Sequence, residues 1–222
     1  MKQLKLYFVR HGQTIFNKYN RMQGWSDSPL TEKGYADAHQ AGVRLSDTKF
    51  DAVYASDTTR AMNTARAILA ENKHTTAEIQ PKTEFREEFY GYFEGNDSAQ
   101  TWFEVLMPIS GKRSFHEFLE ERPIAETKDA IKAADPFHDA ENNAEFWERI
   151  NRGFNDLLAT ANDGDQILIV SHGTTIRSIA AKADPELDIT WGPKNGSITR
   201  FTLDEDGIHL IEYNNYDSRI EI

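Results

Sequence analysis

Runs of apolar residues alternate with amphipathic helical patterns along the 222-residue chain. Residues 4–9, Leu4-Lys5-Leu6-Tyr7-Phe8-Val9, read as a buried strand. Residues 31–45 carry a helical pattern with Thr31 as the expected N-cap. A strand follows at 51–55. An alanine-rich helix at 58–71 comes next, capped by Asp57 or Thr58, and then a short strand at 77–81. A second near-continuous apolar run, 166–170, precedes a helix at 174–183. The end of the chain reads as a hairpin, 197–203 and 208–213, around Asp206-Gly207.

This alternation argues for an α/β fold. The expected architecture is a three-layer α/β/α sandwich around a mostly parallel sheet, in a single domain over 1–222. Residues 96–143 break the alternation. They are helical in pattern, contain Pro108, Pro123 and Pro136, and carry Trp102, Phe103, Phe115, Phe118 and Phe137. They read as a helical cap inserted into the domain, where segments that choose substrate often lie. The alternative is that these aromatics form the insertion's own small core.

Composition narrows the chemistry. The length is enough to bury a core without disulfides. The absence of cysteine fits a reducing cytoplasm and excludes thiol nucleophiles and thiolate metal sites. No segment has the length and apolarity of a membrane span or signal peptide. A cytoplasmic protein with no membrane partner is expected. The net charge of −11 disfavours nucleic acid as a partner, yet a local cationic cleft still attracts a small anion.

The two strongest apolar runs end alike, the first in Arg10-His11-Gly12 and the second in Ser171-His172-Gly173. Ligands of open α/β sheets bind beyond the carboxyl ends of the strands. A lone strand-end histidine is more often structural, but two in the same setting suggest a shared crevice. Arg10 adjoins the first. Arg60, in the first turn of a helix, leans back towards a strand end. An arginine fork and a helix N-terminus both suit phosphate oxygens. Alone, Arg60 would read as a surface salt bridge. A proton donor would come from Glu87 or Glu88, and aromatic neighbours could keep such a carboxyl protonated; the residues alone do not choose between the two. The phosphate-loop, zinc-helix and serine-elbow motifs are absent. The other histidines, His39, His74, His116, His138 and His209, are scattered, and no metal or cofactor is expected.

These residues fall into ordered blocks that resemble the histidine phosphatase superfamily, in its phosphoglycerate-mutase-like branch. The blocks are Val9-Arg10-His11-Gly12-Gln13-Thr14 with Asn17, Gln23-Gly24-Trp25 and Asp27-Ser28-Pro29-Leu30-Thr31; Val53-Tyr54-Ala55-Ser56 with Arg60-Ala61; Phe85-Arg86-Glu87 with Gly91 and Glu94-Gly95; Ser171-His172-Gly173; and Asn195-Gly196-Ser197. The resemblance implies that His11 is a nucleophile forming phosphohistidine. Arg10, Arg60 and a protonated His172 would bind the phosphoryl oxygens. Asn17, Gln23, Gly24, Gly173 and Thr174 would complete the substrate pocket, and Glu87 rather than Glu88 would be the proton donor. A backbone carbonyl, such as that of Gly12, would hold the other nitrogen of His11.

Two departures touch the substrate rather than the phosphoryl pocket. Ala140-Glu141-Asn142-Asn143-Ala144 stands where the family often has Gly-Glu-Ser, and Phe93 stands for a tryptophan. The expected function is a metal-independent phosphomonoesterase acting on a small phosphorylated metabolite. A cofactor-dependent phosphoglycerate mutase shares the core residues. It would need extra basic groups, for which Lys112 and Arg113 are the candidates; Asn96-Asp97 stands where a basic set would be expected. A non-catalytic phospho-ligand binding protein is the rival from another class.

Overall fold

The computed structural model describes residues 2–220. The first apolar run forms strand β1 (Leu4–Arg10), followed by the short helix α1 (Ile15–Lys18) and by α2 (Glu32–Arg44). Strand β2 (Ala52–Ala55), helix α3 (Thr59–Glu71) and strand β3 (Ile79–Pro81) come next. Helices α4 (Ser98–Ser110), α5 (Phe115–Leu119) and α6 (Ala125–Ala134) occupy the expected insertion, and the long helix α7 (Asn143–Thr160) leads out of it. The chain closes with β4 (Gln166–Ser171), α8 (Gly173–Ala183), β5 (Ile198–Asp204) and β6 (Gly207–Asn215). No helix among the described residues is long and apolar enough to cross a membrane.

Among the described residues six strands form one sheet in the order β3-β2-β4-β1-β5-β6. The pairings among β3, β2, β4 and β1 are parallel, while β5 and β6 add an antiparallel hairpin at one edge. Residue alternation sorts the strands onto two faces. Leu6 and Phe8 of β1, Ile167 and Ile169 of β4 and Phe201 of β5 meet Phe146, Ile150 and Leu157 of α7 and Ile176 and Ile179 of α8. Tyr7, Val9, Val53, Leu168 and Val170 point the other way, onto Ala41 of α2 and Ala61, Ala65 and Ile68 of α3. Both faces are covered, which is why the central strands read as continuous apolar runs. The result is the α/β/α sandwich.

The insertion shares a core with the main body. Trp102, Val105, Leu106, Phe118 and Ile131 pack with Met22, Tyr90 and Phe93 from the main body. Trp102 and Phe118 are thus core residues, though of a core that the main body shares, with Phe115 packed at the edge of the cluster. Phe103 and Phe137 are exposed instead.

Capping explains most element boundaries. Thr31 caps α2 by accepting from Gly34 N, as the sequence pattern predicts. Asn142 and Glu145 form a reciprocal capping box at the start of α7. At α3 the geometry differs from expectation. Thr58 is the N-cap but makes no side-chain cap bond, and the Thr59 N–H donates to Asp27 Oδ2 at 2.5 Å. Asp57 instead pairs with the Arg86 guanidinium through both oxygens.

Candidate active site

Because β1 and β4 are parallel neighbours with Arg10 opposite Ser171, the residues that follow them leave the sheet at the same level. His11 and His172 end 5.1 Å apart between ring centroids. Beside them lies a cleft of about 250 Å³. Its wall includes Arg10, His11, Asn17, Gln23, Gly24, Arg60, Glu87, Gly173 and Thr174, residues scattered over six segments of the chain. His172 is fully buried behind this wall, not part of its lining.

His11 is 3% exposed, and its Nδ1 lies 2.8 Å from the Gly12 carbonyl oxygen. A carbonyl accepts only, so Nδ1 carries the proton and Nε2 keeps its lone pair. Burial, followed by the charges of Arg60 and Arg10, holds the His11 pKa well below the ordinary imidazole range. The ring is therefore neutral at neutral pH, the state a nucleophilic imidazole requires. Asn195 Nδ2 donates to the His11 carbonyl at 2.8 Å, and Thr64 Oγ1 accepts from Gly12 N at 3.1 Å, so the turn after β1 is pinned from both sides.

Arg60 is not a surface salt bridge; it is 1% exposed. Its Nη1 donates to Ser26 O at 2.8 Å and Asp27 Oδ1 at 3.1 Å, and its Nη2 donates to Gly24 O at 2.6 Å. Nη2 also lies 3.0 Å from His172 Nδ1. A guanidinium only donates, so Nδ1 of His172 is the acceptor and its proton sits on Nε2. Burial and the Arg60 charge push the His172 pKa well down. The expected protonated His172 is thus corrected to a neutral ring. A second cation beside a fully buried guanidinium would have no counter-charge.

Arg10 is anchored by Nη1 donating to Pro193 O at 2.7 Å. Its guanidinium runs against Gly173, where a Cβ would lie 3.2 Å from Arg10 Cζ, so the glycine admits the close approach. Arg10 Nε, Arg60 Nε and His172 Nε2 are all buried and meet no partner. Arg177 Nε is a fourth such donor, and buried donors without partners are costly unless an anion completes them.

Glu87 sits on the N-terminus of α8. Its Oε2 accepts from Thr174 N at 2.9 Å, and its Oε1 accepts from Thr175 N at 2.8 Å, Thr175 Oγ1 at 3.0 Å and Glu88 N at 3.1 Å. The surroundings expected for this carboxyl were aromatic; they are backbone amides and a hydroxyl. Trp25 touches the Glu87 carbonyl instead, donating from Nε1 at 2.9 Å. Glu88 turns away from the cleft and is fully buried.

Asn17 and Gln23 shape the adjacent loop. Asn17 Oδ1 accepts from Thr14 N at 3.2 Å and Asn195 Nδ2 at 3.3 Å, while Gln23 Oε1 accepts from Thr14 Oγ1 at 2.8 Å. Glu94 holds the next stretch by accepting from Trp25 N and Ser26 N. Gly24 has φ +53°, and a Cβ there would meet Glu94 Oε1 at 2.0 Å, so only glycine fits. Asp27, Glu94 and Asn195 lay inside the ordered blocks, but no role followed from their spacing.

Of the rest of the cleft, the sequence pointed only to Trp102 and Phe115, as aromatics of the cap. Tyr90, Ser98, Trp102, Phe115, His116, Arg21 and Arg177 line it. Arg177 lies one helical turn after Gly173 in α8, a spacing that marks a shared face. Its guanidinium sits 5.1 Å over the Phe115 ring. Tyr90 Oη and Thr174 Oγ1 are 2.8 Å apart. The two basic candidates in the insertion are elsewhere: Lys112 pairs with Glu121, and neither Lys112 nor Arg113 lines the cleft.

Known proteins share the sequence pattern and the fold. A 2,3-bisphosphoglycerate-dependent phosphoglycerate mutase from Neisseria meningitidis serogroup B is 29% identical over 194 residues, covering 80% of this chain and 83% of the relative. The crystal structure of phosphoglycerate mutase from Bacillus anthracis superposes with a TM-score of 0.88 at 31% identity, covering 97% of this chain and 94% of that one. The mycobacterial glucosyl-3-phosphoglycerate phosphatase shares the fold, with a TM-score of 0.72 at 22% identity over 97% of this chain and all of the other. Residues 6–216 match the family model of the histidine phosphatase superfamily, branch 1, and the chain belongs to that superfamily.

Proposed function

We propose that the protein is a phosphomonoesterase that works through a phosphohistidine on His11, as a single domain whose cap, about 96–143, faces a small phosphorylated metabolite. The observation that carries this reading is the neutral, Nδ1-anchored His11 in one cleft wall with Arg10 and Arg60 and beside His172, each of which has a buried donor without a partner. In the proposed reaction His11 Nε2 attacks phosphorus while the substrate's ester oxygen departs. Arg10, Arg60 and the Nε2–H of His172 stabilise charge on the equatorial oxygens. The α8 N-terminus at Gly173 and Thr174 adds backbone dipoles favourable to an anion. Asn17, Gln23 and Gly24 close the pocket. Glu87 gives its proton to the leaving oxygen, then accepts one from the water that cleaves the phosphohistidine.

Mutase activity is the second reading, favoured by the mutases among the relatives and by Arg21 and Arg177 in the cleft wall. The distance of Lys112 and Arg113 from the cleft supports the phosphatase. The deciding assay supplies 3-phosphoglycerate with a trace of 2,3-bisphosphoglycerate. Inorganic phosphate without 2-phosphoglycerate is the expected outcome; 2-phosphoglycerate as the main product would overturn it. A non-catalytic binding protein would give no turnover and no acid-labile label on His11 across a phosphoester panel.

A further inference from the structure

The proposed reaction leaves Arg177 without a task. Its side chain lines the cleft, is 7% exposed, and has a buried Nε that meets no partner. Its Nη2 donates to Thr190 O over a long 3.3 Å. Its other neighbours are the Phe115 ring, 5.1 Å away, and the side chain of Tyr213. No carboxylate pairs with it among the described residues. A guanidinium stays protonated even when buried, and a buried cation without a counter-charge is costly.

The surrounding chain is built to admit this group. At Gly192 a Cβ would lie 2.6 Å from Arg177 Nη2, so the loop can pass against the guanidinium only as glycine. One residue on, Pro193 O holds Arg10. The 190–193 strap thus carries a carbonyl for each of two cleft arginines. Arg177 leaves α8 one turn beyond Gly173, about 6 Å along the helix axis. Its side chain leans back towards that end, where the phosphoryl group would sit.

Charge balance says what is missing. Arg10, Arg21, Arg60 and Arg177 stand in the cleft wall against a single carboxylate, Glu87. Arg21 is exposed and screened by water, and Asp27 offsets Arg60. With Glu87 protonated as the donor, a phosphoryl dianion meets Arg10 and Arg60 and leaves Arg177 unbalanced. The cleft, about 250 Å³, has room for only a few carbons between the two anionic groups.

We propose that Arg177 is the specificity-determining residue of the cleft, binding a carboxylate that the substrate carries a few bonds from its phosphoryl group. The substrate class is then a short phosphorylated acid. The basic groups expected from the cap, Lys112 and Arg113, are replaced in this role by an arginine of the main body. The inference rests on the cleft being a phosphoryl site, and it is tested by binding so that turnover can be judged separately.

The His11→Ala protein, which does not turn over, is titrated calorimetrically with 3-phosphoglycerate and with racemic glycerol 3-phosphate, which has a hydroxymethyl group in place of the carboxylate. The acid is expected to bind about 10–100-fold more tightly. Adding Arg177→Met should bring the two affinities to within about 3-fold of each other, while Arg177→Lys, with charge but no fork, should keep part of the preference. In the otherwise intact enzyme, Arg177→Met should raise KM for the acid far more than it lowers kcat. Equal affinity for both ligands before the substitution, or an equal loss of both after it, would overturn the proposal, since a merely structural arginine would not tell them apart. Should Arg177→Met fail to fold, Arg177→Lys is read by the same ratio. If the binding preference is found but wild type releases no phosphate from the acid or from 4-nitrophenyl phosphate, the carboxylate site stands and the phosphatase reading fails.

Discussion

At the inner end of the cleft, where β1 and β4 stop, nearly every polar side chain that faces the chemistry is held by the backbone. Gly12 O holds His11, Gly24 O and Ser26 O hold Arg60, Pro193 O holds Arg10, and the amides of Thr174 and Thr175 hold Glu87. At the outer wall Trp102 and Phe115 meet only through ring contacts, at 4.5 Å between centroids, while His116 and Arg177 add to their ring contacts one backbone oxygen shared by both, that of Thr190. Backbone anchors are set by strand register and helix ends, so they fix atoms for chemistry. Ring contacts tolerate exchange, so the outer wall is where one fold changes its substrate.

That contrast makes inner substitutions catalytic and outer ones selective. The largest effect is expected for His11→Ala, with kcat down by about 10⁴-fold or more and the fold retained, as measured by phosphate release beside circular dichroism. Turnover equal to wild type would remove His11 from the mechanism. Arg60→Ala should lower kcat by about 10²–10³-fold, since it deletes a preorganised donor and frees the 24–27 loop. Phe115→Ala should act mainly on KM, by about 10-fold or less, and unevenly across a substrate panel. A uniform fall in kcat instead would erase the distinction between the two walls. The smallest effect is an absence. Because the His11 pKa lies well below 6.5, the ring stays neutral as pH falls through the usual imidazole range. His11 labelling rates should not drop near pH 6.5, and a drop there that persists in Glu87→Gln would contradict the buried neutral ring. The same shift has a stability sign. The unfolded ring takes up a proton below about 6.5 while the folded ring refuses it, so this group favours unfolding increasingly as the pH falls below that value.

Much of the fold was legible because its cause is local. The runs ending at Val9 and Val170 are apolar on both faces, as strands covered by helices must be. Thr31 signals its helix by its own side chain. The start of α3 was less legible, since the group that bonds its Thr59 N–H is Asp27, in a distant loop. The candidate site divides in the same way. Arg10, His11, Glu87 and Gly173 follow strands or sit in ordered blocks. Arg177, Tyr90 and Phe115 enter the cleft only through helix packing.

By itself the sequence determined the layered α/β architecture, the placing of two histidines at strand ends and the superfamily resemblance, because hydrophobic period, cap residues and short motifs act over a few neighbours. Only the tertiary structure decided that His172 is a neutral acceptor, that Glu87 lies on a helix N-terminus and that Glu88 is fully buried beside it. Protonation state and orientation depend on desolvation and on partners tens of residues away, which pattern along the chain does not encode.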